Sequence, residues 1–194
     1  MGKVPKEVEI KFQIEDLRRL GRQLKAAGFR LKTRRTHEMN TLFDLSGQTL
    51  RNKGELLRLR QYGPEWTLTH KAKAISKRHK TRVELETKIK DGPQMRAILE
   101  ALGFQPTFVY EKFRAEWSDG VGDVVVDETP IGNVGEIEGP PRWIDRTAKA
   151  LKITPTQYIT KSYAELFFDW KKTTGSAATE MTFRAVRRTS KRKS

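Results

Sequence analysis

Cysteine is missing altogether from these 194 residues. That excludes disulfide scaffolds, thiolate zinc sites, iron–sulfur clusters and cysteine nucleophiles. Histidine is scarce, with three copies. His37-Glu38-Met39-Asn40-Thr41 opens like a zinc-protease helix but has no second histidine to complete the ligand set. No apolar run reaches 18 residues, so no segment has the length of a membrane-spanning helix. The first residues, Met1-Gly2-Lys3-Val4-Pro5-Lys6, carry no apolar stretch of the signal-peptide kind. A cytoplasmic chain without membrane attachment is the expectation. Phosphate-loop, dinucleotide-loop and GxSxG signatures are absent. Apolar residues make up only 36% of the chain, yet nine Phe, four Tyr and four Trp can anchor a core.

Positive charge is abundant. Lys and Arg total 39 against 24 Asp and Glu, a formal net charge of +15. Eight basic residues and one acidic residue fall between 171 and 194. Residues 172–194 are also rich in Ser, Thr and Ala, and they read as a solvated, disordered C-terminal tail outside the folded domain 1–171. Such a tail serves solubility or holds a polyanion, RNA or polyphosphate, which would make the protein a non-enzymatic binder. No RNA-binding motif accompanies it. A second basic run lies between 71 and 82, with Lys71, Lys73, Lys77, Arg78, Lys80 and Arg82. The 74–81 connection within it, which includes His79, reads as an exposed hairpin tip.

The chain aligns with itself at an offset of 75. Val8-Glu9-Ile10-Lys11 matches Val83-Glu84-Leu85-Glu86, Asp16 matches Asp91, and Gly28-Phe29 matches Gly103-Phe104. Each copy predicts a strand, a short helix, a Gly-Phe pair and another strand. The helices are expected at about 16–27 and 93–102. Leucines recur at helical spacing, an Asp caps each start, and a left-handed Gly closes each end. Two copies are too few for a solenoid and suggest one domain built from related halves.

Several strands alternate charged and apolar residues. Glu7, Glu9 and Lys11 alternate with Val8, Ile10 and Phe12. Arg58 and Arg60, Thr69 and Lys71, Glu84 and Glu86, Lys112 and Arg114, Asp123 and Asp127, Glu136 and Glu138 follow the same rule. A period of two places each charged set on one face of its strand. His70 falls on an apolar face and reads as structural. About eight strands result, in an α+β chain whose helices cover the apolar faces. Pattern alone leaves two arrangements standing. The charged faces point to open water, as in a half-exposed antiparallel sheet, or the sheet closes into a barrel with the charges inside a wet lumen. Dry burial would cost several kcal/mol per ion. Clustered carboxylates suit Mg2+ or Mn2+, and clustered Arg and Lys suit phosphate oxygens. Together they point to a metal–polyphosphate ligand.

These motifs, in order, resemble the CYTH superfamily, the triphosphate tunnel metalloenzymes. Glu7-Val8-Glu9-Ile10-Lys11 is similar to its N-terminal E-x-E-x-K strand. Leu57-Arg58-Leu59-Arg60, Thr69-His70-Lys71, Arg82-Val83-Glu84-Leu85-Glu86, Glu111-Lys112-Phe113-Arg114, Val126-Asp127-Glu128, Gly135-Glu136-Ile137-Glu138 and Ser162-Tyr163-Ala164-Glu165-Leu166 follow. Asn40 stands where the family often has Asp. The resemblance spans about residues 4–171. It implies a closed eight-stranded antiparallel barrel with helices outside and two pseudo-symmetric halves. It implies that Glu7, Glu9, Glu136 and Glu138 hold one or two Mg2+ or Mn2+ ions, with Glu84, Glu86 and Asp127 supporting. Lys11, Arg58, Arg60, Lys71, Lys112, Arg114 and Lys161 would grip a triphosphate, with Glu7, Glu9, Lys11, Lys71 and Asp127 central to catalysis. The implied activity is triphosphate hydrolysis, on tripolyphosphate, thiamine triphosphate or a nucleoside triphosphate. Cyclisation of ATP to cyclic AMP and pyrophosphate is the alternative. Trp143, Tyr163, Leu166, Phe167 and Trp170 are expected to pack late helices on the barrel exterior.

Overall fold

The structure, a computed structural model, describes residues 6–76 and 78–190. Among them are nine strands: β1 (Lys6–Ile14), β2 (Arg30–Asp44), β3 (Leu56–Tyr62), β4 (Glu65–Lys71), β5 (Ile75–Ser76), β6 (Lys80–Ile89), β7 (Gln105–Ser118), β8 (Asp123–Thr129) and β9 (Gly132–Glu138). The helices are α1 (Leu17–Ala26), α2 (Thr49–Lys53), α3 (Gly92–Ala101), α4 (Pro141–Ala150), α5 (Tyr163–Thr174) and α6 (Phe183–Ser190).

The strands run β1-β9-β8-β7-β2-β3-β4-β6, and a pairing of β6 with β1 closes the ring. Every pairing between these strands is antiparallel. The two-residue β5 continues the β4 side of β6, where Ala72 N already bonds Val83 O at 2.9 Å. The barrel therefore has eight strands, one of them interrupted.

The 75-residue offset is visible in the elements themselves. Shifted by 75, α1 lands on α3, and β1 and β2 land on β6 and β7. Asp16 accepts from Arg19 N at 2.9 Å and Asp91 from Gln94 N at 2.8 Å. Gly28 (φ 88°) and Gly103 (φ 89°) end the two helices in the left-handed region. The barrel also pairs each strand with its own repeat equivalent, β1 with β6 and β2 with β7. Equivalent strands related by a two-fold axis between them must run antiparallel, and these do.

The apolar sides of β1, β8 and β9 face outward. Ile10, Phe12, Ile14, Val124 and Ile137 pack there under α1 (Leu20, Leu24) and α4 (Trp143, Ile144, Ala148). Gly135 pairs with Phe12, and a Cβ at that glycine would sit 2.1 Å from the Phe12 ring. The missing side chain lets the ring lie across β9. On the opposite side Leu99 of α3 meets Phe43 and Leu59.

Tyr163 and Phe167 depart from expectation. They do not pack on the exterior but join Phe108, Tyr110 and Val134. Phe108 and Tyr110 share the inward face of β7 with Lys112 and Arg114, so α5 is seated in one end of the barrel and stops it. Trp143 does pack outside. The expected tail is folded over much of its length. Ala178, Met181 and Val186 are buried in the same cluster as Phe167, and α6 spans Phe183–Ser190. Its start is fixed from a distance, since Glu111 Oε1 on β7 accepts from Phe183 N at 2.7 Å. Residues 191–194 lie outside the described residues. No helix among the described residues is long and apolar enough to cross a membrane.

Candidate active site

The inward faces of the strands enclose a cavity of about 290 Å³, lined by nine cations and eight carboxylates. Strand registry places them. Glu9 is opposite Glu138 and Lys11 opposite Glu136 across β1–β9. Lys71 is opposite Glu84 across β4–β6, and Glu9 opposite Lys80 across β1–β6. Residues chosen for the lumen by alternation therefore do converge: Glu7, Glu9, Lys11, Arg58, Arg60, Lys71, Glu84, Glu86, Lys112, Arg114, Glu136 and Glu138 all line it.

The charges pair with one another. Lys71 Nζ lies 2.8 Å from Glu7 Oε1 and 2.6 Å from Glu84 Oε2. Arg82 Nε lies 3.0 Å from Glu7 Oε2. Lys11 Nζ bridges Glu9 at 2.8 Å and Glu136 at 3.2 Å. Burial alone would raise the Glu7 carboxyl. Lys71 and Arg82 outweigh that and hold it well below the usual carboxylate range. Lys80 is the opposite case, with burial first and then Lys11 bringing its ammonium down to about 8.

Beneath the cavity lies a layer with almost no solvent contact. Asp127 Oδ2 accepts from Lys112 Nζ at 2.8 Å and from Arg114 Nη2 at 2.6 Å, and Oδ1 accepts from Arg114 Nε at 2.8 Å. The Tyr163 hydroxyl donates to the same carboxylate in a short bond. Burial and then Asp127 push that phenol well above its usual value, so it stays a donor. Glu38, bonded by Asn40 Nδ2 at 2.9 Å, faces Lys112 at 3.5 Å.

Two expected site residues are placed elsewhere. Asp127 does not line the cavity. It is fully buried and committed to Lys112, Arg114 and Tyr163, beneath the cavity and apart from the carboxylates that line it. Lys161 does not line the cavity either; it is largely exposed and pairs with Asp169 at 2.5 Å. Its backbone ends just before α5, and the side chain swings to the outer side of that helix. His79 was expected to be exposed, but its side chain is largely covered and meets Asp145 at 2.9 Å. His70 does face outward as its parity implied, toward Glu55 at 3.5 Å.

Sequence reasoning missed several residues. Lys80 and Arg82 line the cavity, and their even numbers on β6 put them on the face of Glu84 and Glu86, a signal that was available. Glu38 carried the same parity signal beside Asn40. Tyr163 carried none, because aromatic residues occur all round α5.

Glu138, the last residue of β9, lines the cavity yet remains open to solvent, and no ion pair reaches it among the described residues. Loss of hydration against the surrounding walls, then the charges of Glu7, Glu136 and Glu9, push its carboxyl up to about 7. A carboxyl raised above its unfolded value favours the fold while protonated and loses that advantage as pH rises through 7. Without divalent metal, Glu138→Gln is therefore expected to raise Tm at pH 8 and to change it far less at pH 5, where the folded carboxyl still holds its proton. Thermal melts of both proteins at the two pH values check this, and an equal shift at both would refute the repulsion.

Comparison with known proteins agrees with this geometry. The CYTH domain profile matches residues 5–167. A Methanocaldococcus jannaschii protein, provisionally named an adenylate cyclase, is 33% identical over 171 residues, covering 82% of this chain and 97% of that protein. A Vibrio parahaemolyticus structure with the same provisional name has a TM-score of 0.76 at 18% identity, covering 86% of this chain and 99% of its own. A Hippeastrum protein, provisionally an adenylyl cyclase and described as having a dominant triphosphatase activity, has a TM-score of 0.60 at 19% identity over 84% and 95% of the two chains. At these identities the two structures speak for the fold.

Proposed function

This chain belongs to the CYTH family, and from that membership we propose that it is a divalent-metal-dependent enzyme that hydrolyses a triphosphate. The observation that carries the reading is the near balance of charge around the cavity, nine cations to eight carboxylates. A bare polyanion would meet as much repulsion as attraction there. A triphosphate arriving with a divalent cation presents both signs, and each finds its counterpart.

The residues fit such a cation by their chemistry. All the candidate donors are hard carboxylate oxygens, and Glu138, across the β1–β9 register from Glu9, makes no ion pair among the described residues. Among the described residues no three acidic or histidine side chains already form a metal cage, so Glu7, Glu9 and Glu136 would exchange lysine partners for the ion. Glu7, Glu9, Glu136 and Glu138 would hold it, with Glu84 and Glu86 in support. When bound, the ion supplies Lewis acidity toward phosphate oxygens and acidifies water.

The chain's own part is positioning and charge neutralisation, which phosphoryl transfer chiefly needs. Lys11, Arg58, Arg60, Lys71, Lys112 and Arg114 are the phosphate grips, steadied from beneath by Asp127. Water attacks the terminal phosphorus, the bond to the bridging oxygen breaks, and orthophosphate leaves. Hydrolysis is favoured over cyclisation by the lining. Its two tyrosines, Tyr110 and Tyr163, are stacked on each other with centroids 5.7 Å apart, and both are buried, so neither offers an exposed ring to a purine. The volume also sits at the lower limit of small-molecule pockets.

The test supplies purified protein with tripolyphosphate, thiamine triphosphate or ATP and Mg2+ or Mn2+. Orthophosphate release without cyclic AMP is expected. Cyclic AMP with pyrophosphate would establish the cyclase instead, and no turnover of any of the three would overturn both.

A further inference from the structure

One carboxylate outside the cavity holds a segment that leads into its lining and another that abuts β1. Asp145 sits on α4, in the outer layer, and does not line the cavity. Its Oδ1 is 2.9 Å from His79 Nε2, 3.1 Å from Arg78 Nε and 3.2 Å from the Tyr158 hydroxyl. A carboxylate only accepts, so His79 carries its proton on Nε2 in this contact. The imidazole and the Tyr158 ring also face each other, 6.2 Å between centroids.

One partner leads into the lumen, and the other braces a strand that lines it. His79 precedes Lys80, which lines the cavity and is 5% exposed. Tyr158 precedes Ile159, whose N–H and C=O each bond the backbone of Lys11 at 2.8 Å. Inside the cavity Lys80 is loosely held. Its one ion pair among the described residues is to Glu9, at 3.5 Å, whereas Lys71 and Lys11 have pairs at 2.6 and 2.8 Å. Lys80 itself is paired on both sides, with Glu9 on β1 and Ser76 on β5, but residues 78 and 79 before it lie outside the strands. Among the described residues, the side chains of Arg78 and His79 tie this lead-in to the outer layer through Asp145.

We propose that Asp145 is a positioning residue, which acts through His79 to present the Lys80 ammonium to a phosphate group in the cavity. This rests on the triphosphate reading of that cavity. Asp145 touches no substrate. It removes the freedom of the segment that carries Lys80, so that less ordering remains to be done when the anion binds.

The experiment uses the full chain and tripolyphosphate with Mg2+, and affinity is read from the KM for orthophosphate release. Lys80→Ala and Asp145→Ala are each expected to weaken binding about tenfold. Asp145→Asn keeps an acceptor oxygen and is expected to restore most of the loss. The double variant Asp145→Ala/Lys80→Ala is expected to lose about tenfold again, because both changes remove the same contact. A hundredfold loss, the sum of independent effects, overturns the proposal, as does full affinity in Asp145→Ala. Hydrogen exchange supplies a second reading that needs no ligand. Amides 78–84 are expected to exchange faster in Asp145→Ala than in the unmodified chain, and unchanged exchange overturns the latch. An unmodified chain that releases no orthophosphate from tripolyphosphate overturns the reading of the cavity, and exchange then decides the latch by itself.

Discussion

Asp127→Ala is expected to lower the free energy of unfolding by about 3–5 kcal/mol, the cost of stranding a buried charge without its partner. The carboxylate is wholly buried. Its removal leaves Lys112, itself 1% exposed, with Glu38 at 3.5 Å as its one remaining ion pair among the described residues. Arg114 keeps Glu136 at 2.6 Å but loses both bonds to Asp127. The Tyr163 hydroxyl loses its acceptor, a further penalty of about 1–3 kcal/mol within the total if no water replaces it. The same change removes the bond through which α5 reaches the ion layer, while Phe167 keeps its apolar contacts. Asp127→Asn, which keeps an acceptor of the same shape, is expected to cost less. Urea unfolding at constant m value measures both. A loss below about 1 kcal/mol for the alanine variant would mean that the cations rehydrate freely, and that the buried layer does not hold the closed end together.

That layer also marks where reading the chain stops being enough. Alternation gave the correct face for Glu7, Lys11, Arg58, Lys71 and Glu136, because a period of two fixes the side of a strand. It does not fix depth along the barrel axis. Asp127 shares its face with Val125, which lines the cavity, yet it lies beneath, because α5 fills that end of the barrel and turns a lumen position into a buried one. The choice between open sheet and barrel was equally beyond local pattern. It depends on β1 meeting β6 over four residue pairs, a contact between segments about 75 residues apart. The repeat, by contrast, was legible to the residue, because both helices carry their own Asp cap and terminal Gly. The fold of 178–190 was not. Its composition is that of a disordered tail, while its order comes from Glu111 capping Phe183 and from apolar partners on β7 and α5. His79 misled for the same reason, since its cover is Asp145 on a helix far along the chain.

Arg58→Ala is expected to cut kcat/KM for the preferred triphosphate by 100-fold or more, about 3 kcal/mol of transition-state stabilisation, while the protein stays folded. Arg58 lines the cavity and is largely buried. Its contacts with the wall are long: Nη2 is 3.3 Å from Thr69 Oγ1, 3.5 Å from Glu86 and 3.7 Å from Glu84. Its Nε is buried with no hydrogen-bond partner. Burial works against the charge, but Tyr110, Glu38 and Glu84 outweigh it and keep the guanidinium protonated. Nη2, in these long contacts, can take a phosphate oxygen without displacing a tight pair. Lys112 and Arg114 differ, because each must keep Asp127 while binding anything else. Arg58→Lys is expected to restore only part of the activity, since an ammonium has the charge but not the planar fork. Steady-state kinetics with tripolyphosphate and Mg2+, beside a melting curve, checks both variants. Activity of Arg58→Ala within threefold of the unmodified enzyme would show that the reacting phosphates do not reach this part of the lumen. The charge balance would then have to serve a ligand bound nearer Glu138.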